Sequence, residues 1–247
     1  MNRSNIIKGL SISVVLFIWV GLSIVFDNDM IVPNMFGVLA YMIHQVMSST
    51  FYMSISVTLL RLVIAFSMSL LVGVLLGILS CIKKDVKDFL SPIVTMIKTI
   101  PNISYMIVVL LWFNTHISIV IIVFLILFPM FYTSTIDGIA SLRKSLHDVL
   151  MLYSETPVNK LVKVYIPSML PFVLNNISVA INLGFKVAIM AEVLGQPSVG
   201  IGREMLISKL TLNSTQLFAW TLWIIVLGLL FDGIVSFVVT KLKDKFT

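Results

Sequence analysis

Long apolar runs constrain this chain more than any other feature of its sequence. About 20 consecutive apolar residues cross the hydrocarbon core of a bilayer as a helix. Six stretches approach that length: Leu10–Phe26, Val57–Ile82, Ile93–Trp112, Ile117–Tyr132, Met169–Leu194 and Leu217–Thr240. With 59% hydrophobic residues in 247 and a mean hydropathy of +1.08, the chain carries more apolar surface than one soluble core can bury. The strand-like alternation of a membrane β-barrel is absent. The expected fold is therefore an all-α membrane protein with about six transmembrane helices.

Charge sets the expected orientation. If the N-terminus is cytoplasmic, the inner segments hold Arg3 and Lys8, then Lys83, Lys84 and Lys87, then Arg143, Lys144, Lys160 and Lys163, then Lys241, Lys243 and Lys245. The outer segments hold only Arg203 and Lys209, and Arg61, Lys98 and Lys186 fall within spans. This asymmetry puts both termini in the cytoplasm. It also accounts for the +6 net charge without nucleic-acid binding. No small-x-small cleavage site follows the first run, so that run is expected to stay as an uncleaved helix. The single Cys81 excludes an intrachain disulfide and a cysteine metal site.

The expected organisation is an N-terminal helix with its external segment (1–56), a core of five helices (57–240) and a cytoplasmic tail (241–247). The external "VLAYMIHQVMSSTFYMSI" is expected to form an amphipathic helix on the membrane surface, with His44 at the interface. In the second run Ser69, Gly73 and Gly77 recur every four residues and make a groove for a neighbouring helix, within the same subunit or beyond it.

The fifth run has two stripes. Asn175, Ser178, Asn182 and Lys186 share one helical face, and Ala180, Gly184 and Ala188 share the opposite one. A polar stripe in hydrocarbon needs water or partner groups, whereas a small-residue stripe admits a close helix. The polar side is thus a candidate substrate pathway, with interhelical hydrogen bonding as the alternative. Lys186 needs an acid, a water-filled cavity or a substrate. By depth, Arg61 is expected to pair with Glu192 and Lys98 with Asp232, although Glu192 also lies close enough to compete for Lys186. The segment "AEVLGQPSVGIG" breaks the fifth run at its outer end, as part of a gate or as an exposed loop.

Between the fourth and fifth runs lies a polar connection, residues 133–168. Ser145 and Asp148 have capping-box spacing, which predicts a short helix over Leu146–Tyr153. Thr156-Pro157 then caps and starts a second helix, expected to end before Pro167. Such a short helix is marginal alone. Val158, Leu161, Val162 and Tyr165 give it an apolar side, suited to a protein partner or to anionic lipid.

The spacing in this connection resembles the cytoplasmic "EAA" signature of the permease subunits of bacterial ATP-binding-cassette (ABC) importers. Counting back from Pro167, the matching positions are Asp148, Val149 and Leu150, then Ser154, then Val164 and Ile166. Asp stands for Glu, larger residues for both alanines, and Ser for Gly. "TLLRL", "IKTIPNISYMIVVLLWF", "YIPSMLPFVLNNI", "FKVAIMAEVLGQPSVGIG" and "LFAWTLWIIVLGLLFD" resemble, in order, recurrent segments of the nitrate/sulfonate/taurine-type permeases, from Thr58 to Asp232.

The resemblance implies a multi-pass protein of the bacterial cytoplasmic membrane that forms the path for a small solute such as a sulfonate, nitrate or a thiamine precursor. It implies a second permease subunit, an ABC ATPase and an extracytoplasmic binding protein. It also implies a cytoplasmic coupling helix between the fourth and fifth spans, with Asp148, Ser154, Thr156, Pro157, Val158, Leu161 and Val162 in the ATPase-coupling region. The substrate pathway is expected to use Asn175, Ser178, Asn182, Lys186 and Glu192. No phosphate-cradling G-x-x-x-x-G-K-[ST] occurs, so ATP is expected on another subunit, and no enzyme site or cofactor is expected here. The alternative is a self-sufficient secondary transporter or channel, but the internal repeat of broken helices common in such proteins is missing.

Overall fold

The computed structural model describes residues 3–142 and 157–246. Within them the chain is helical and without strands. The elements are α1 (Arg3–Phe26), α2 (Met35–Val46), α3 (Ser49–Ile82), α4 (Lys84–Thr99), α5 (Asn102–Trp112) and α6 (Thr115–Ala140). They continue with α7 (Pro157–Lys160), a π-helical segment (Leu161–Tyr165), α8 (Ile166–Gly195), α9 (Ile201–Leu210) and α10 (Ser214–Phe246). Five helical stretches among the described residues are long and apolar enough to cross a membrane, or six if α4 and α5 form one broken span.

The chain divides into two compact units, residues 1–57 with 198–227, and residues 58–197 with 228–247. In the first, α1 is tied by Trp19, whose Nε1 donates to Pro33 O at 3.1 Å and whose ring lies 5.6 Å from that of Phe218. Asn34 caps α2 by accepting from Phe36 N at 2.9 Å. The expected surface helix is thus shorter than its sequence suggested. It ends at Val46, and the residues after Ser48 already belong to α3.

In the second unit, α6 is the most enclosed helix. Its Ile119, Ile122, Val123, Leu127 and Phe131 are fully buried. The Ser69/Gly73/Gly77 groove of α3 receives α6 of the same chain. A Cβ on Gly73 would lie 2.8 Å from Phe131 Cβ, and one on Gly77 would lie 2.7 Å from Thr135 Cβ. Ser69 Oγ donates to Ala65 O at 2.7 Å, so its hydroxyl is satisfied within α3. Gly138 brings α6 equally close to the start of α8, where its missing Cβ would stand 2.5 Å from Met169 Cα.

Two expectations need correction. The third apolar run is not a straight span, because α4 and α5 meet at 102°. Pro101 causes this: its ring disfavours helical backbone at the preceding residue, and Ile100 is extended at φ −66, ψ 131. The helix begun at Pro157 also does not stop before Pro167. It passes through the π-helical segment into α8, with Ile166 N donating to Leu161 O, five residues back. The widened turn shifts the hydrogen-bond register just ahead of the proline, which otherwise opposes helix continuation.

Candidate functional site

Both stripes of the fifth run lie on α8, and the fold separates them. Ala180, Gly184 and Ala188 are buried, and a Cβ on Gly184 would meet Leu62 Cδ1 at 2.8 Å and Leu127 Cδ1 at 3.0 Å. The polar face looks the other way. Asn175 and Lys186 are exposed, and Ser178 and Asn182 are half-buried. Both of the latter bond to Asp232 on α10: Ser178 Oγ donates to Asp232 Oδ1 at 2.5 Å and Asn182 Nδ2 donates to the same oxygen at 3.1 Å. Asp232 therefore joins the polar face, and the expected Lys98–Asp232 pair does not form. Lys98 sits exposed on the last turn of α4.

Glu192 occupies different surroundings from the rest of the expected pathway. It is fully buried, and Arg61 Nη1 donates to its Oε1 at 2.5 Å. Thr58 Oγ1 approaches both carboxylate oxygens, at 2.9 and 3.0 Å. On the far side of the guanidinium, Arg61 Nη2 lies 2.7 Å from His116 Nδ1. A guanidinium has no acceptor, so Nδ1 accepts and the imidazole proton is on Nε2. The buried pair is thus hydrogen-bonded on both sides, as low-dielectric surroundings require. It leaves Glu192 facing no open surface.

Depth along the runs pointed to Arg61 and Glu192, but Thr58 and His116 were missed. Their signal lay in topology: Thr58 is one turn before Arg61, and His116 opens α6 at the same end of the bundle.

In the proposed coupling region, Asp148, Ser154 and Thr156, together with the helix expected over Leu146–Tyr153, lie outside the described residues. So do the side chains of Pro157 and Val158. Helical backbone does start at Pro157. Leu161 is half-buried and Val162 is 55% exposed. At the other end of α8, Gln196 terminates the helix in the left-handed region at φ 50, and Pro197, Gly200 and Gly202 are buried. Between these buried residues Gln196 and Ser198 are exposed, so the break is part-buried.

The family model for the binding-protein-dependent transport system inner membrane component matches residues 69–244. The chain belongs to that family. It is thus a multi-pass permease of the inner membrane, of the ABC importer type, and the self-sufficient transporter is set aside. The permease is 24% identical over 246 residues to the putative aliphatic sulfonates transport permease protein SsuC of Bacillus subtilis, covering 98% of this chain and 88% of that one. It is 20% identical over 191 residues to the nitrate import permease protein NrtB of Leptolyngbya laminosa, covering 77% of this chain and 68% of the relative. Among solved structures, an inward-facing conformation of the MetNI methionine ABC transporter matches with a TM-score of 0.62 at 17% identity, covering 77% of the permease and 93% of that chain. That likeness is one of fold.

Proposed function

We propose that this permease pairs with a second permease subunit and lines a path for a small, anionic solute. A binding protein delivers the solute outside, and a separate ATPase acts from the cytoplasm. The observation that carries the reading is the split of α8, with its small residues buried, Asn175 and Lys186 exposed on the opposite face, and Ser178 and Asn182 between them bonded to Asp232 of α10. Exposed polar and charged side chains such as Asn175 and Lys186 at membrane depth require water or protein against them. Lys186 supplies positive charge to that face, and aliphatic sulfonates and nitrate, named for two relatives, are anions. Glu192 is assigned instead to the lock with Arg61, Thr58 and His116.

Both termini are placed in the cytoplasm by the charge asymmetry, which puts the helix starting at Pro157 on the ATPase side. Its apolar residues Leu161 and Val162 are the docking contacts, and Asp148, Ser154, Thr156, Pro157 and Val158 belong to the same coupling region. Leu161→Asp tests this. The variant should insert in the membrane normally but lose the co-purifying ATPase, and unchanged complex yield would assign the helix to the lipid surface instead. Lys186→Met should impair uptake at normal expression. Failure to accumulate would mark Lys186 as structural.

A further inference from the structure

A cavity of about 260 Å³ lies within the first unit, where α2, the first turn of α3, α9 and the start of α10 meet. Its wall combines aromatic surface with polar groups, among them the buried, unpaired Trp220 Nε1 donor as well as acceptors. Tyr41, Phe51 and Trp220 provide the rings, and Phe51 stacks on Trp220 at 5.5 Å and 28°. Glu204 provides a carboxyl and Gln45 an amide.

Two observations set this cavity apart from ordinary packing. Gln45 is only 7% exposed, yet its Oε1 is buried without a hydrogen-bond partner. A buried acceptor left unmade forfeits its hydration with no return, and such groups are rare in folded proteins. The second is the state of Glu204. Burial pushes its carboxyl above the ordinary value, against the opposing pull of Arg203. The Tyr41 phenol is pushed up too, by burial first and then by the Glu204 charge, which places the two groups within electrostatic reach. Burial in this wall thus disfavours a lone carboxylate, which a cation placed beside it would stabilise. A cation seated there would gain the carboxylate and the unpaired amide oxygen together.

From this geometry we propose that the cavity binds a cationic nitrogen, an ammonium or guanidinium group, with Glu204 and Gln45 Oε1 as its acceptors. None of these residues belongs to the polar face of α8 or to the Arg61–Glu192 lock. The cytoplasmic placement of both termini under Proposed function determines which compartment the group comes from, but the binding itself does not depend on it. A free organic amine and a lysine side chain on the delivering protein present the same chemistry.

The full chain with its ATPase, reconstituted in nanodiscs that leave both membrane faces open, is titrated calorimetrically with n-butylammonium and with guanidinium. 1-Butanol and acetate serve as controls. Saturable heat with the cations and none with butanol or acetate is expected, and Glu204→Gln should weaken the cations about tenfold or more while Glu204→Asp keeps most of the affinity. The contrast between butylammonium and butanol on the unaltered chain needs no variant, so a misfolded mutant does not blunt the test.

In a second arm, carbodiimide couples carboxylates to lysines in the complex with the binding protein. A cross-link lost in Glu204→Gln identifies the delivering protein as the source, and cation binding without it identifies a free amine. If the cations bind no better than butanol and no Glu204-dependent cross-link forms, the proposal is overturned. Should the ATPase fail to co-purify, the permease reading fails separately, and the same titration on the chain alone still decides the cavity.

Discussion

Replacing Glu192 with Gln would test whether the Arg61–Glu192 pair is a structural lock. The substitution keeps the shape of the side chain and removes its charge. Arg61 and Glu192 are 5% and 0% exposed at their side chains, so neither water nor salt can compensate. Breaking one side of such a pair costs about 3–5 kcal/mol, because the other charge stays buried. The amide also sets an N–H against Thr58 Oγ1 or Arg61 Nη1, both of which donate to the carboxylate in the native chain.

At roughly 2–4 °C per kcal/mol for a protein of this size, the melting temperature should fall by roughly 6–20 °C. Arg61→Met combined with Glu192→Met removes both charges and should recover part of that loss. It should fall short by about 1–3 kcal/mol, for the partners that Thr58 and His116 lose. Reversible unfolding in mixed micelles, followed by tryptophan fluorescence, measures all three proteins. A Glu192→Gln penalty below about 1 kcal/mol, the range of a solvated surface pair, would refute the lock. So would a double variant less stable than the single one.

Close packing and pH supply further tests. Gly138→Ala places a Cβ against the Met169 backbone, which cannot yield as a side chain does, and should cost about 1–3 kcal/mol in the same unfolding assay. Gly233→Ala on α10 meets nothing within 4 Å and should be neutral or gain up to about 1 kcal/mol of helix propensity. Glu204 has its carboxyl raised above the ordinary value of 4.5 by burial, so the folded state holds that proton more tightly than the unfolded chain. Its contribution is complete below that ordinary value and is lost as pH rises through the raised one. Melting curves across this range should flatten in Glu204→Gln, and an unchanged pH profile would refute the shift.

The apolar runs made the spans legible, because in lipid a helix must satisfy its own backbone and hydrophobic length is then nearly sufficient evidence. The two faces of α8 were legible for a related reason: spacing fixes which residues share a side, and Ala180, Gly184 and Ala188 are buried opposite Asn175 and Lys186. Hydropathy carries no angle, however. Ile93–Trp112 reads as one run although Pro101 turns the chain by 102° within it. The π-helical turn before Pro167 was hidden as well, since a proline signals where a helix is opposed and not whether a wider turn accommodates it. Lys98 and Asp232 share a depth but not a neighbour, and Asp232 went to Ser178 and Asn182 because α8 packs beside α10 there.

The passage of helix through the π-helical turn has a mechanical consequence. The stretch Leu161–Gly195 holds 35 residues and, at ~1.5 Å per residue, is about 52 Å long, against a hydrocarbon core of about 30 Å. The proposed docking residues and the polar face are therefore two marks on one shaft, in fixed angular phase. Inserting one residue between Tyr165 and Asn175 would turn everything beyond it by about 100°, swinging Lys186 towards the side where Gly184 packs. Length changes within this shaft should be far less tolerated than changes in the connection before Pro157, because a shaft conveys rotation only while its two ends keep phase.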